Sequence, residues 1–344
     1  MRLISQGACC DGRSFVYLPV NIFSSGGYHC MKHVFIINPR AGKGKALELI
    51  RPQIEAYINE HNLDAEIHVP DSPHAAQDFI RAEASKGQPV RFYACGGDGT
   101  LFEAVNGAFG HPNAEVAVLP LGSGNDFIRL FGTQEQFLNI DAQVNGTALE
   151  LDCIKCGDKI AINQCSMGVD AEVCAKQAAF KKLPFMKGDM AYTAAAVYCV
   201  FRKLNNEFTV SIDGGEPKKM TLLFCVGANS RWYGGGYKAA PLAVPDDGVL
   251  DFIVVEKKNG RLKLLTLLPK YKKGMHLGWD ITHFSRGKKM TIHSDTPAAV
   301  NIDGECEYVT DRTFEIVEKG MRFVIPTTSS YIKDRESGKI SQKQ

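Results

Sequence analysis

The sequence predicts an α/β domain built on a doubly wound parallel sheet, followed by a second, mostly antiparallel β-sandwich domain. Three observations carry this expectation. From Lys32 to about Asn145 short apolar runs alternate with longer helical patterns, as parallel strands linked by crossover helices require. After Ala148 strand-like pieces separated by turn signals take over, the pattern of antiparallel sheets. Two of the early strands run into glycine-bearing loops that open helices, which is the carboxyl edge of an open α/β sheet.

The first domain reads as strand Val34 to Ile37, helix Ala46 to Asn62, strand Ala65 to Val69, helix Pro73 to Lys86, strand Val90 to Ala94, helix Leu101 to Phe109 and strand Val116 to Leu119. Ser72 before Pro73 is placed to cap the second helix, with proline at its first turn. In the second domain the strands are Phe208 to Ile212, Thr221 to Val226, Val249 to Val255, Met290 to His293 and Ala298 to Ile302, interrupted by helices Asp170 to Phe180 and Gly188 to Lys203. Residues 1–31 read as a disordered extension, with the folded unit, and its natural translation start, expected at Met31-Lys32-His33. Residues 327–344, rich in Lys, Ser and Gln, read as a flexible tail.

Composition narrows the function classes. A chain of 344 residues is about two domains by size. A net charge of +2 offers no global basic field for nucleic acid, so attraction to anionic surfaces has to be local. The eleven cysteines fall mostly in apolar runs (Cys95, Cys165, Cys199, Cys225), as reduced thiols in a cytoplasm do. Cys153-x-x-Cys156 lacks the second ligand pair that zinc needs. The longest apolar helix, Met190 to Phe201, is well short of the roughly twenty residues of a membrane span.

Three loops hold the chemistry. Gly96-Gly97-Asp98-Gly99-Thr100 lies between the run Val90 to Cys95 and the helix from Leu101. Its glycines let an anion approach the backbone, and the helix behind presents its positive dipole end. Asp98 would repel a bare phosphate, which points to a Mg²⁺ ion between them; a tight turn with a solvated Asp is the alternative. Gly122-Ser123-Gly124-Asn125-Asp126 follows the strand Val116 to Leu121 in the same manner. Asn38-Pro39-Arg40-Ala41-Gly42-Lys43-Gly44-Lys45 follows the first strand, but Ala46 after Lys45 breaks the Walker A spacing and excludes that mechanism.

Together these motifs resemble the diacylglycerol kinase catalytic-domain family, which includes sphingosine kinases and bacterial lipid kinases. The matching stretches are Asn38-Pro39-x-x-Gly42, Gly96 to Leu101 with Glu103, Asn106 and Gly107, and Pro120 to Asp126, with further matches at Asp152, Asn163 to Ala171, Gly234 to Gly236, Asp246-Asp247-Gly248 and Asp303-Gly304-Glu305. The resemblance runs over roughly residues 32–326. It implies an ATP- and Mg²⁺-dependent kinase acting on a hydroxyl of diacylglycerol or a similar lipid. It also implies that the final hairpin, Thr313 to Pro326, returns to pack on the first domain, dividing the chain into a nucleotide-binding domain (32–147 and 312–326) and a lipid-substrate domain (148–311).

By the same resemblance, Glu305 is the general base and Asp98 its partner in catalysis. Asn38, Pro39, Arg40, Ala41, Gly42, Gly97, Asp98, Gly99, Thr100, Leu101, Phe102, Glu103, Ser123 and Asp126 hold the nucleotide, with Asp126 and Asp152 in an acidic network beside it. Asp247 with the carbonyls of Val244 and Val249 binds a structural Mg²⁺. Read as turns alone, Asp303-Gly304-Glu305 and Asp246-Asp247-Gly248 need no ligand. Two departures stand out: the family's Thr after the second strand is replaced here by His68-Val69-Pro70-Asp71-Ser72, and Ser123 stands where many relatives have Thr. Lysines 181, 182 and 187 before the apolar helix, and Lys270, Lys272 and Lys273 after Leu264 to Leu268, suit peripheral docking on the inner face of a membrane; a solvated helix face is the alternative. A homodimer is left open. The rival functions are an NAD kinase-like enzyme, which shares Gly-Gly-Asp-Gly-Thr, and a catalytically silent lipid- or nucleotide-binding protein on the same scaffold.

Overall fold

The computed structural model describes residues 31–181, 189–202 and 206–341. The expectations for residues 1–30 and for the lysine-flanked segment 182–188 lie outside the described residues.

β1 (Lys32–Ile37) leads through a helical turn, α1 (Ala41–Gly44), into α2 (Ala46–His61), β2 (Ala65–His68), α3 (Ala75–Ala84), β3 (Val90–Gly96), α4 (Asp98–Ala108) and β4 (Ala114–Pro120). The strands run parallel in the order β2-β1-β3-β4. Alternate residues face opposite ways, so Val34, Ile36, Phe92, Ala94, Val116 and Val118 pack with α3 and α4, while Phe35, Ile37, Tyr93, Cys95, Ala117 and Leu119 pack with α2. Helices on both faces are why these strands read as unbroken apolar runs. Arg91 interrupts one run and is met by Glu115 at 2.7 Å and the carbonyls of Gln143 and Val144.

One local expectation fails here. α3 starts at Ala75, not Pro73, and its N-cap is His74 at φ 67° without a side-chain cap. Ser72 turns its hydroxyl to Asp71, and its carbonyl accepts from Ala75 N–H, closing a turn ahead of the helix.

After α5 (Gln134–Leu138) and α6 (Ile140–Val144) come β5 (Thr147–Cys156), β6 (Lys159–Ala161), β7 (Gln164–Gly168), α7 (Val169–Lys181), α8 (Asp189–Arg202), β8 (Asn206–Ile212), β9 (Lys218–Ala228), β10 (Leu250–Glu256), α9 (Arg261–Lys272), β11 (Thr282–Gly287), β12 (Lys289–Ile302), β13 (Glu305–Ile325) and α10 (Tyr331–Glu336). These later strands pair antiparallel with one another. The two pieces expected around residues 290 and 300 are one strand, β12, with a register shift between His293 and Ala298. The sheet folds over itself: a Cβ placed on Gly227 of β9 would lie 3.1 Å from the ring of Phe314 on β13, although β7 and β12 separate those strands along the sheet. That contact sits in a second core with Phe208, Leu222, Phe252 and Met290.

β13 joins the halves. Its first part pairs with β12, its second with β5, and Phe323 meets Val116 of β4 in parallel register. The return to the first domain is thus the far end of a 21-residue strand rather than a separate hairpin. Phe323 is fully buried and rests among Phe127 (5.1 Å between centroids), Phe131 (5.3 Å) and Phe137 (6.4 Å). Tyr331 of α10 closes on Phe131 at 4.6 Å and is buried, while Arg335 pairs with Asp246 at 2.7 Å. The stretch expected to fray is therefore docked as far as α10, because an aromatic anchor and an ion pair offset the ordering entropy. Phe323→Ala, which opens a cavity where the halves join, is expected to cost about 3–5 kcal/mol. Urea denaturation checks this, and a loss below about 1 kcal/mol would show that the return strand is not a keystone.

Candidate active site

The loops after β1, β3 and β4 meet at one edge of the parallel sheet and wall a cavity of about 850 Å³ against the second domain. Glycine makes the approach possible. A Cβ on Gly122 would lie 2.5 Å from Cα of Gly97, and one on Gly96 would lie 2.1 Å from Thr100 Oγ1. The first loop is tied to the others by Asn38 Nδ2 donating to Thr100 Oγ1 (3.0 Å) and Gly42 N–H donating to the Leu121 carbonyl (3.0 Å). Its left-handed residues Gly42 and Lys43 turn the chain into the cavity wall.

Asp98, Asp126, Asp303 and Glu305 all line this cavity. Asp98 Oδ1 accepts the Asp126 N–H at 2.8 Å. Burial, and next the charge of Asp126, push the Asp98 carboxyl up to about 6. Asp126 is held from two sides, by Arg129 Nε at 2.9 Å and by Gly235 N–H of the second domain at 2.7 Å. Asp303 is partly buried, and its carboxylate accepts from the backbone N–H groups of Ile162 (2.6 Å), Asn163 (3.1 Å) and Gln164 (2.7 Å). Burial pushes it up to about 6 as well, against those three bonds, with Asp98 adding to the rise. Asp303 at φ 49° and Gly304 at φ 104° form the left-handed turn that delivers Glu305 to the start of β13.

Most expected residues converge. Asn38, Arg40, Ala41, Gly42, Gly97 to Phe102, Ser123, Asp126 and Glu305 are in the wall. Pro39 and Glu103 are not: Pro39 has no N–H to offer, and Glu103 lies on α4 beyond the turn that faces the cavity. Asp152 is also elsewhere. It accepts from Gly248 N–H (2.8 Å) and Lys319 N–H (2.9 Å), so it braces the Asp246-Asp247-Gly248 turn instead of joining the acids at the nucleotide loops. Val244, Asp247 and Val249 sit in that same turn, outside the cavity wall, with Val249 N–H 3.2 Å from Asp247 Oδ1. Nothing from 68–72 reaches the wall, and His68 instead stacks on Phe79 at 3.7 Å. Residues the motif reading left without a role are Asp303 as a backbone clamp, Gly235 as the tie to Asp126, and Tyr233, Cys174 and Gln177 as wall. The Gly234 to Gly236 match was the sequence signal for Gly235, and the Asp303-Gly304-Glu305 match the signal for Asp303.

Among the described residues no three His, Cys, Asp or Glu side chains cluster to hold a metal. Cys153 and Cys156 are buried thiols. Asp98 and Asp126 nevertheless supply paired hard-oxygen donors whose mutual repulsion a cation would relieve. They fit Mg²⁺, which keeps waters and shares its shell with phosphate oxygens rather than filling an all-protein cage.

A parallel-sheet domain whose loops wall an acidic cavity, closed by a β domain that contributes a carboxylate, has the phosphate cradle and the acids that phosphoryl transfer uses. Residues 32–156 match the diacylglycerol kinase catalytic domain, and residues 163–325 match the YegS C-terminal NAD kinase beta sandwich-like domain. The chain belongs to the diacylglycerol kinase catalytic-domain family, and it is a lipid kinase, a phosphotransferase with an alcohol acceptor. It is similar to a diacylglycerol kinase of Mycobacterium tuberculosis, 28% identical across 78% of this chain and 87% of the relative. A diacylglycerol kinase of Staphylococcus carnosus is 29% identical across 61% of this chain and 68% of the relative. A crystal structure of a candidate diacylglycerol kinase from Bacillus anthracis shares the fold, with TM-score 0.70, 23% identity, and 89% of this chain and 98% of that one covered.

Proposed function

We propose that this chain transfers the γ-phosphoryl group of ATP to a hydroxyl of diacylglycerol or a related membrane lipid, with Glu305 as general base. The observation that carries the reading is that Asp98 and Glu305, far apart in sequence and in different domains, line one cavity. Arg40 and Lys43 bring positive charge to the loops where phosphates would lie, and Ser123 brings a hydroxyl. Mg²⁺ held beside Asp98 and Asp126 would offset phosphate charge. Glu305 would accept the acceptor hydroxyl's proton on a carboxylate oxygen, and Asp303, by gripping the backbone of 162–164, would keep Glu305 in register with the donor.

Incubation with labelled ATP and a total lipid extract, alongside NAD, tests this. Label in a phosphorylated lipid supports the reading. Label in NADP would support the NAD kinase alternative, which the sandwich-domain match keeps alive, and no label from a nucleotide-binding chain would support the silent scaffold.

For the lipid side we infer a peripheral contact through α8 and α9, on the membrane's inner face in a cytoplasmic setting. Leu264 is buried, and Leu267 and Leu268 pack on the second-domain core, so that run is mostly interior rather than docking surface. The outward apolar side chains are Met190, Val197, Tyr198 and Phe201 of α8 and Leu262 of α9, with Lys263 and Lys270 nearby in sequence on α9. Among the described residues no helix is long and apolar enough to cross a membrane.

For the turn at 244–249 we propose a structural Mg²⁺ held by Asp247 and the Val244 and Val249 carbonyls. Saturating Mg²⁺ without nucleotide is expected to raise the Tm by about 3 °C or more, EDTA to reverse this, and Asp247→Ala to abolish the response. A melting temperature indifferent to chelator would remove the site.

A further inference from the structure

Among the described residues Cys95, Cys153, Cys156, Cys165, Cys199 and Cys225 are buried, whereas Cys174 and Cys306 are partly exposed. Burial pushes the Cys225 thiol up to about 12 and that of Cys199 to about 11, and raises Cys95, Cys153 and Cys165 further still. Thiols held protonated out of reach of solvent are inert. The two accessible cysteines are neighbours. Cys174 Sγ, on α7, lies 3.7 Å from the Gly304 carbonyl oxygen, and Cys306 Sγ, on β13, lies 3.8 Å from that same oxygen. Cys306 Sγ is also 3.8 Å from the Ala171 carbonyl, one helical turn before Cys174. The elements that bear them are in direct contact, Tyr308 Oη being 3.0 Å from Glu172 Oε2. Gly304 immediately precedes Glu305, and Cys174 lines the same cavity as that carboxylate.

We propose that Cys174 and Cys306 form an oxidation-sensitive pair that a hydroperoxide closes to a disulfide beside Glu305, halting turnover until a dithiol reductant reopens it. One thiolate attacks the peroxide, the O–O bond breaks, an alcohol or water leaves and a sulfenic acid forms. The second thiolate then attacks that sulfur, the S–S bond forms, and hydroxide departs as water. The two thiols lose two electrons and two protons, and the peroxide takes both up. Both sulfurs are within 4 Å of one backbone oxygen, and closure draws α7 and the start of β13 together until the pair reaches disulfide geometry. That shift acts on the backbone from which Glu305 projects, and a displacement of about 1 Å at a reacting group can cost on the order of a hundredfold in rate.

The effect on turnover rests on the kinase reading; the thiol chemistry does not. The full chain would be treated with hydrogen peroxide, its remaining thiols alkylated, and its tryptic peptides read by fragmentation mass spectrometry, which separates Cys174 from Cys165 in their shared peptide. The expected product joins Cys174 to Cys306 with loss of two hydrogens. Lipid phosphorylation should fall at least tenfold in step with it, and dithiothreitol should restore both. Cys306→Ser, with Cys306→Ala should the serine variant misfold, should match the untreated wild type in turnover and resist peroxide. Absence of the linked peptide, or a link from Cys306 to Cys199, overturns the pair. A linked peptide with undiminished turnover, or equal inactivation of Cys306→Ser, overturns its control of Glu305. A chain that phosphorylates no lipid even when reduced would overturn the kinase reading, while the peptide map still decides the pair.

Discussion

Glu305→Gln is expected to lower lipid phosphorylation by roughly a hundredfold to ten-thousandfold, the usual share of general base catalysis, and to leave binding of a non-hydrolysable ATP analogue near that of the wild type. The substitution keeps the side chain's size and most of its hydrogen bonding and removes only the basic oxygen. Nucleotide contacts should survive because they come from the loops at Asn38, Gly97 and Ser123 in the first domain, whereas Glu305 opens β13. Turnover and a binding isotherm, measured on one preparation, check it. If affinity and turnover collapse together, Glu305 is structural or a metal ligand. If neither changes, another group takes the proton, and Asp98 is the first to test.

Asp98→Asn should abolish transfer and yet stabilise the fold. The amide oxygen can still accept the Asp126 N–H, but the partly buried charge that faces Asp126 is gone. A carboxyl raised to about 6 when folded holds its proton more tightly folded than unfolded, where it titrates near 4. Its ionisation therefore costs stability: the cost is fully present above about pH 6 and is relieved as pH falls from about 6 toward 4. Asp303 follows the same sign. At pH 7.5 the variant should gain on the order of 1–3 kcal/mol, and the gain should shrink toward pH 5. Wild-type turnover should fall below about pH 6 as Asp98 is protonated, and the variant's should be down at least a hundredfold throughout. Urea titrations at the two pH values decide the first part; an unchanged or lowered stability at pH 7.5 would mean that Asp98 is held in place by favourable charge interactions, contrary to the raised carboxyl described above.

What could be read from the residues alone is what short-range sterics and periodicity encode. Buried strands such as Val34 to Ile37 announce themselves because both faces need apolar side chains, and Gly96-Gly97-Asp98-Gly99-Thr100 announces a strand-to-helix turn because its glycines break an apolar run just before a helical pattern begins. The site residues in the three loops were legible for the same reason, each loop being a local object. Local reasoning failed where a competing partner won, whether adjacent in the chain or distant. Ser72 has the chemistry of a helix cap but spends it on Asp71, and Asp152 has the look of a site acid but is taken by the N–H groups of Gly248 and Lys319. Tyr331 sits in a polar tail whose composition forecasts fraying, yet a gap beside Phe131 and Phe323 receives it. The tertiary structure alone brings Asp303 onto the backbone of 162–164, Gly235 onto Asp126, and Cys174 beside Cys306. Those pairings depend on how β13 crosses from one domain to the other, and no window of sequence carries the energy of a contact between residues more than a hundred positions apart.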